Sequence, residues 1–119
     1  MQFMSDYIIE AFCSHFDGDF YLSKADWRNF IMIEDFINSP VIDSTYLDGY
    51  GVMLFDVGGY VLENSYNAVA TTILAHFKNT LDDPIYGNVI ILGTGGQGEY
   101  ESVSAGFKER ITGMGFRVV

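Results

Sequence analysis

The chain is 119 residues long, 49% apolar and 16% aromatic, and its sixteen acidic side chains against six basic ones leave a formal charge of −10. That length builds one domain with a real core and is too short for two. A surplus of this sign repels nucleic acid and anionic lipid and speeds encounter with basic partners, and no window reaches the ~18 uncharged apolar residues of a membrane span.

The opening Met1-Gln2-Phe3-Met4-Ser5-Asp6 places an acid, and no basic cluster, before any apolar run, unlike a secretory leader. The lone Cys13 has no partner for an internal disulfide. A cytoplasmic setting, bacterial or viral, is the expectation. Ile8, Ile9, Phe12 and Phe16 fall at helical spacing, which predicts a helix over Ser5–Phe16 capped by Ser5 or Asp6. Asp17-Gly18-Asp19 breaks it, and Phe20-Tyr21-Leu22 is briefly extended. Ser23-Lys24-Ala25-Asp26 has the form of a capping box, so a second helix is expected from Lys24 to about Ile37, burying Trp27, Phe30, Ile31 and Ile33 and ending at Asn38-Ser39-Pro40.

Val41 to Gly49 reads as irregular. Tyr50 to Leu62 reads as a hairpin turning at Gly58-Gly59. Glu63-Asn64-Ser65 then caps a third helix from Tyr66 to about Leu81, with Val69, Ile73, Leu74, Phe77 and Leu81 inward and Asp82-Asp83-Pro84 as its stop. Val89 to Leu92 is a four-residue apolar run that suits a strand buried on both faces. After Gly93–Gly98 a fourth helix runs to Thr112, and Phe116–Val119 returns as a strand, a right-handed β-α-β crossover. The fold expected is therefore α/β or α+β: one compact domain over residues 1–119, a small mixed sheet with an antiparallel hairpin and a C-terminal β-α-β unit, and about four helices. Phe16–Leu22 and Phe55–Val61 also echo one another, as similar turns ahead of helices.

Two motifs have chemical overtones. Gly93-x-Gly95-x-x-Gly98, after a strand and before a helix, resembles the first β-α-β of a Rossmann domain, whose backbone amides and helix N-terminus receive a pyrophosphate. Here Glu99 and Glu101 open the helix where phosphates would sit, and the chain stops at Val119 without the acid that binds a ribose. His15, Asp17, Asp19 and Asp26 resemble an EF-hand calcium loop, but histidine stands at the first ligand position and Phe20 at the turn glycine. The expectation is no cofactor and no metal.

Catalytic constellations are wanting. Cys13 and His15 lie two apart and do not face each other on a helix. His76 has no evident partner, and Ser65, Ser102 and Ser104 lack a nucleophile elbow. Lys78, Lys108, Arg110 and Arg117 are scattered and make no phosphate-binding stripe. The acids, by contrast, concentrate: eleven of them, against Lys24 and Arg28 alone, precede residue 64. Tyr46, Tyr50, Tyr86 and Tyr100 lie in or beside loops, where tyrosine suits a protein interface.

The function expected is a small acidic non-enzymatic protein that blocks a basic surface of a partner protein, in the manner of an inhibitor or immunity protein, a phage-encoded anti-defence protein or a nucleic-acid mimic. Its contacts would be Asp17, Asp19, Asp43, Asp48 and Asp56, with Tyr46 and Tyr50 as anchors. In size, acidity and its strand-loop-helix-strand ending the chain is similar to barstar-type inhibitors, without a shared motif. The alternatives are a structural or assembly subunit of a virion or other complex, and a nucleotide- or phosphate-binding module built on Gly93–Gly98.

Overall fold

The computed structural model describes residues 8–57, 65–78, 84–95 and 99–118. These residues form an α+β domain: a six-stranded antiparallel sheet and three helices among the described residues. The strands are β1 (Ile9–Ser14), β2 (Phe20–Ala25), β3 (Ile42–Tyr46), β4 (Val52–Asp56), β5 (Val89–Thr94) and β6 (Tyr100–Glu101). The helices are α1 (Phe30–Ile37), α2 (Ala68–Lys78) and α3 (Ala105–Thr112). The main path runs β2-β1-β5-β4-β3, and β6 pairs with the far end of β5.

β5 occupies the middle because it is apolar on both faces. Val89 and Ile91 enter one core with Phe12, Met53, Ile73, Phe77, Phe107 and Ile111, beneath α2 and α3. Ile90 and Leu92 enter the other with Ala11, Cys13, Trp27, Ile33, Ile37 and Leu54, beneath α1. Helices on both faces leave the central strands nothing polar to present, so their sequences lose the alternation that marks a half-exposed strand. This explains the first departure from expectation. The run expected as a helix to Phe16 is β1, and its Ala11, Phe12 and Cys13 are fully buried on alternate faces. Helix α1 likewise starts at Phe30, capped by the Asn29 side chain, rather than at Lys24, because residues 20–25 pair with β1.

Val41–Gly49 is not irregular. It carries β3, and a tight turn to β4 follows, closed by Tyr50 N–H on Leu47 O (3.0 Å) with Asp48 at φ 51° and Gly49 at φ 79°. Two consecutive positive φ values are the mark of a type I′ hairpin turn, for which Asp-Gly is a favoured pair. The expected turn at Gly58-Gly59 and the second arm of that hairpin lie outside the described residues.

The C-terminal crossover is corrected as well. Gly95 N–H bonds Glu99 O (2.7 Å), and β6 runs back antiparallel to β5, Gly93 opposite Glu101. α3 begins only at Ala105, capped by Ser104, and Phe116 and Val118 pack on the core beneath it without forming a strand. The sheet is thus antiparallel in every described pairing instead of mixed, and the described residues hold three helices where about four were expected. The echo of residues 16–22 also resolves: Phe20-Tyr21-Leu22 belongs to β2, not to a turn before a helix.

Candidate functional site

The register sorts the loops to two ends of the sheet. Ser14, Phe20, Val89, Asp56 and Ile42 share one end, that of the β1–β2 turn. Ile9, Ala25, Thr94, Val52 and Tyr46 share the other, that of the β3–β4 turn. At about 3.3 Å per residue these ends lie roughly 13–17 Å apart.

The seven residues expected to contact a partner divide between them. Asp17 and Asp19 are exposed in the β1–β2 turn, which closes through His15 N–H on Asp19 O (2.8 Å) and Gly18 N–H on His15 O (3.0 Å). Asp56 ends β4 at the same end and is half-buried. Asp43 is exposed on β3, one residue inside that end, and its Oδ1 accepts the Ser44 N–H at 2.8 Å. Tyr46, Asp48 and Tyr50 belong to the opposite end. Tyr46 is 63% exposed there. Tyr50 is turned inward: its ring packs on Phe77 and Phe107, its hydroxyl accepts from Arg110 (3.3 Å), and that guanidinium lies 5.3 Å from the ring centroid.

The bases separate in the same way, in the opposite sense. Lys24 faces Glu10 in register, Arg28 Nε donates to Tyr100 O (3.0 Å), Lys78 ends α2, Lys108 pairs with Glu10, and Arg110 caps the Tyr50 ring. Five of the six basic residues therefore lie toward the β3–β4 turn end, where Glu10 and Glu99 pair with two of them. Arg117 is the exception, beside Phe116, whose ring packs on Phe20. Asp17 and Asp19 take part in neither of the two ion pairs seen among the described residues.

The acidic end also bears apolar and aromatic surface, of which the sequence pattern announces Tyr86 alone. Phe16, Val41, Val57, Tyr66 and Tyr86 are exposed there, between 37% and 50%. Helical spacing puts Phe16 on a buried helix face and Tyr66 at a helix start, and neither holds. The available signal is Asn67. It ranks with Asn64 and Ser65 as a helix cap, and taking it as the cap places Tyr66 ahead of α2. Asn67 is buried, accepts from Ala70 N–H (2.9 Å) and Ser14 Oγ (3.1 Å), and donates Nδ2 to Gly87 O (2.9 Å) and Ser14 O (3.2 Å). One side chain so ties the N-terminus of α2 to β1 and to the approach to β5.

The other motifs lie in different surroundings from those they resemble. Asp26 lies beyond β2 from Asp17 and Asp19, about 20 Å of extended chain away, and no group of three or more metal-ligating side chains is found among the described residues. The glycine loop joins two antiparallel strands, and Glu101 sits against Gly95. Gly96–Gly98 lie outside the described residues. Burial pushes the Cys13 thiol up to about 12, against weaker hydrogen bonds from Ser23 and Tyr21, so it stays protonated and is no nucleophile at neutral pH. A groove of about 430 Å³ between α2 and α3, lined by His76, Glu109, Arg110, Gly113 and Met114, joins His76 Nε2 to Arg110 at 3.1 Å. Compared with known proteins, the chain matches no family model, and no curated protein or solved structure is significantly similar to it.

Proposed function

We propose that the chain is a small acidic, non-enzymatic binding protein that covers a basic surface on another protein. The observation that carries the proposal is the segregation of charge. Asp17, Asp19, Asp43 and Asp56 lie toward one end of the sheet with Arg117 as the base placed there, while five of the six bases lie toward the other, where Glu10, Asp26, Asp48, Glu99 and Glu101 offset them. Charge spread for solubility alone has no reason to sort in this way, and like charges held together cost stability. Exposed Phe16, Tyr66 and Tyr86 supply the apolar anchors that an interface needs beside its charges. The working surface is then the β1–β2 turn end. Tyr46 and Asp48 stand apart from it, and Tyr50 serves the core.

The test is affinity capture from the native cell with identification by mass spectrometry, followed by charge reversal. Asp17→Lys with Asp19→Lys weakens the captured complex at least tenfold at about 50 mM salt, and the difference closes toward about 500 mM because screened charges no longer steer. Asp48→Lys leaves binding within about twofold. Recovery of this chain alone, or equal binding by the Asp17/Asp19 variant, overturns the proposal.

A further inference from the structure

Tyr66 and Tyr86 face each other across an isolated antiparallel bridge, secured by Asn67 N–H on Ile85 O (2.8 Å) and Gly87 N–H on Ser65 O (2.7 Å). Their ring centroids are 6.0 Å apart, with the planes at 67°. Both rings are well exposed, at 47% and 37%. The backbone under them is stiffened by buried Asn67 and by Thr71 Oγ1, which accepts the Ile85 N–H at 2.8 Å. Tyrosine pairs of this kind, angled and edge to face, leave electron-rich ring faces turned to solvent.

The molecule shows what such faces receive. Arg110 lies 5.3 Å from the Tyr50 centroid and 5.5 Å from that of Phe77, so at the opposite end an aromatic pair is already occupied by a cation of the same chain. At Tyr66 and Tyr86 no cation–π contact is seen among the described residues, and the acids of the β1–β2 turn lie at the same end of the sheet. We infer that the Tyr66–Tyr86 pair receives an arginine side chain from the partner, its guanidinium stacked on the open ring faces and its charge held by the carboxylates of that end. Arginine fits better than lysine because its planar, weakly hydrated head stacks on aromatic rings. The inference deepens the proposed function and rests on the partner being basic.

The probe is a hexa-arginine peptide, titrated into the whole chain while the tyrosine ring resonances are followed by NMR. Ring signals of Tyr66 and Tyr86 shift together with the amides of residues 17–19, and the Tyr46 ring, exposed at the other end, stays still. Tyr66→Leu and Tyr86→Leu, both at exposed positions, keep the amide spectrum of the fold and each weaken peptide binding roughly two- to fivefold. A hexa-lysine peptide binds more weakly and shifts the rings less. Peptide binding that moves residues 17–19 but not the two rings, or that is unchanged in both variants, overturns this inference and leaves the acidic-surface reading standing. Absence of any binding at low salt overturns both.

Discussion

At the scale of the residue, buried polar groups show how much of this molecule depends on single side chains. Asn67 has every polar side-chain atom engaged, and its partners belong to three separate segments. Cys13 shows the cost of burial directly. Its thiol is moved from 9.0 to about 12, because an ionised sulfur between β1 and α1 would lack water. Below pH 9 the thiol is neutral folded and unfolded, and the contribution to stability is complete. Between pH 9 and about 12 the unfolded chain releases the proton while the folded chain holds it, so stability falls as pH rises, by up to ~1.4 kcal/mol per pH unit. The Tyr21 and Tyr100 hydroxyls, raised chiefly by burial, act in the same direction at higher pH. Urea denaturation midpoints should thus decline from about pH 9 to 11 in the parent chain, and decline less in Cys13→Ala. Parallel slopes in the two would show that the thiol is not the titrating group.

At the scale of the element, the close approaches are made by glycine. A Cβ at Gly51 would overlap the Leu92 carbonyl oxygen and press on the Phe107 ring, and one at Gly93 would lie 2.5 Å from Ser102 O. These two positions let the start of β4, the end of β5 and the segment leading to α3 come together. Gly51→Ala is therefore expected to cost about 2–3 kcal/mol, measured by thermal or chemical unfolding. Gly106 is the control: it lies in α3, and a methyl group there would meet nothing within 4 Å, so Gly106→Ala should stabilise by up to about 1 kcal/mol. A cost at Gly51 no larger than that at Gly106 would mean that the close approach to Leu92 O relaxes freely and does not constrain the backbone. Asp48-Gly49 belongs to this scale too: the turn closes Tyr50 N–H on Leu47 O, and one extra residue on the returning arm, with Leu47 N–H on Gly51 O, brings Tyr46 opposite Val52.

At the scale of the whole molecule, the proposed function sets the charge distribution in tension with stability. Carboxylates collected at one end repel, and salt relieves the repulsion within a Debye length of about 10 Å at 0.1 M. Asp19→Asn should raise the melting temperature at about 10 mM salt by an amount worth a few tenths of a kcal/mol, and the gain should vanish at about 500 mM. If that variant is less stable at every salt concentration, the acids are not crowded and the case for a specialised acidic end weakens. On the proposed function, carboxylates kept together against their repulsion trade stability for binding.

Composition and local pattern determined a good deal on their own. The negative surplus, the apolar β5 run, the stop at Asn38-Ser39-Pro40, the apolar face of α2 and the end of α3 at Thr112 all follow from residue types acting on near neighbours. The identity of β1 as a strand did not, because a run buried on both faces has no period that separates it from a buried helix. The antiparallel return through β6 was equally illegible, since strand direction after a glycine loop depends on pairing with a segment the loop itself does not encode. Most of the candidate surface was decided in the same way. Phe16, Tyr66 and Tyr86 read as core or loop one at a time, and only the strand register carries them, with Asp17, Asp19 and Asp56, to one end of the sheet. Charge is a property of residues, and so the sequence declares it. Where charge collects is a property of the fold, because the two ends of a strand five or six residues long lie farther apart than screened charges can act.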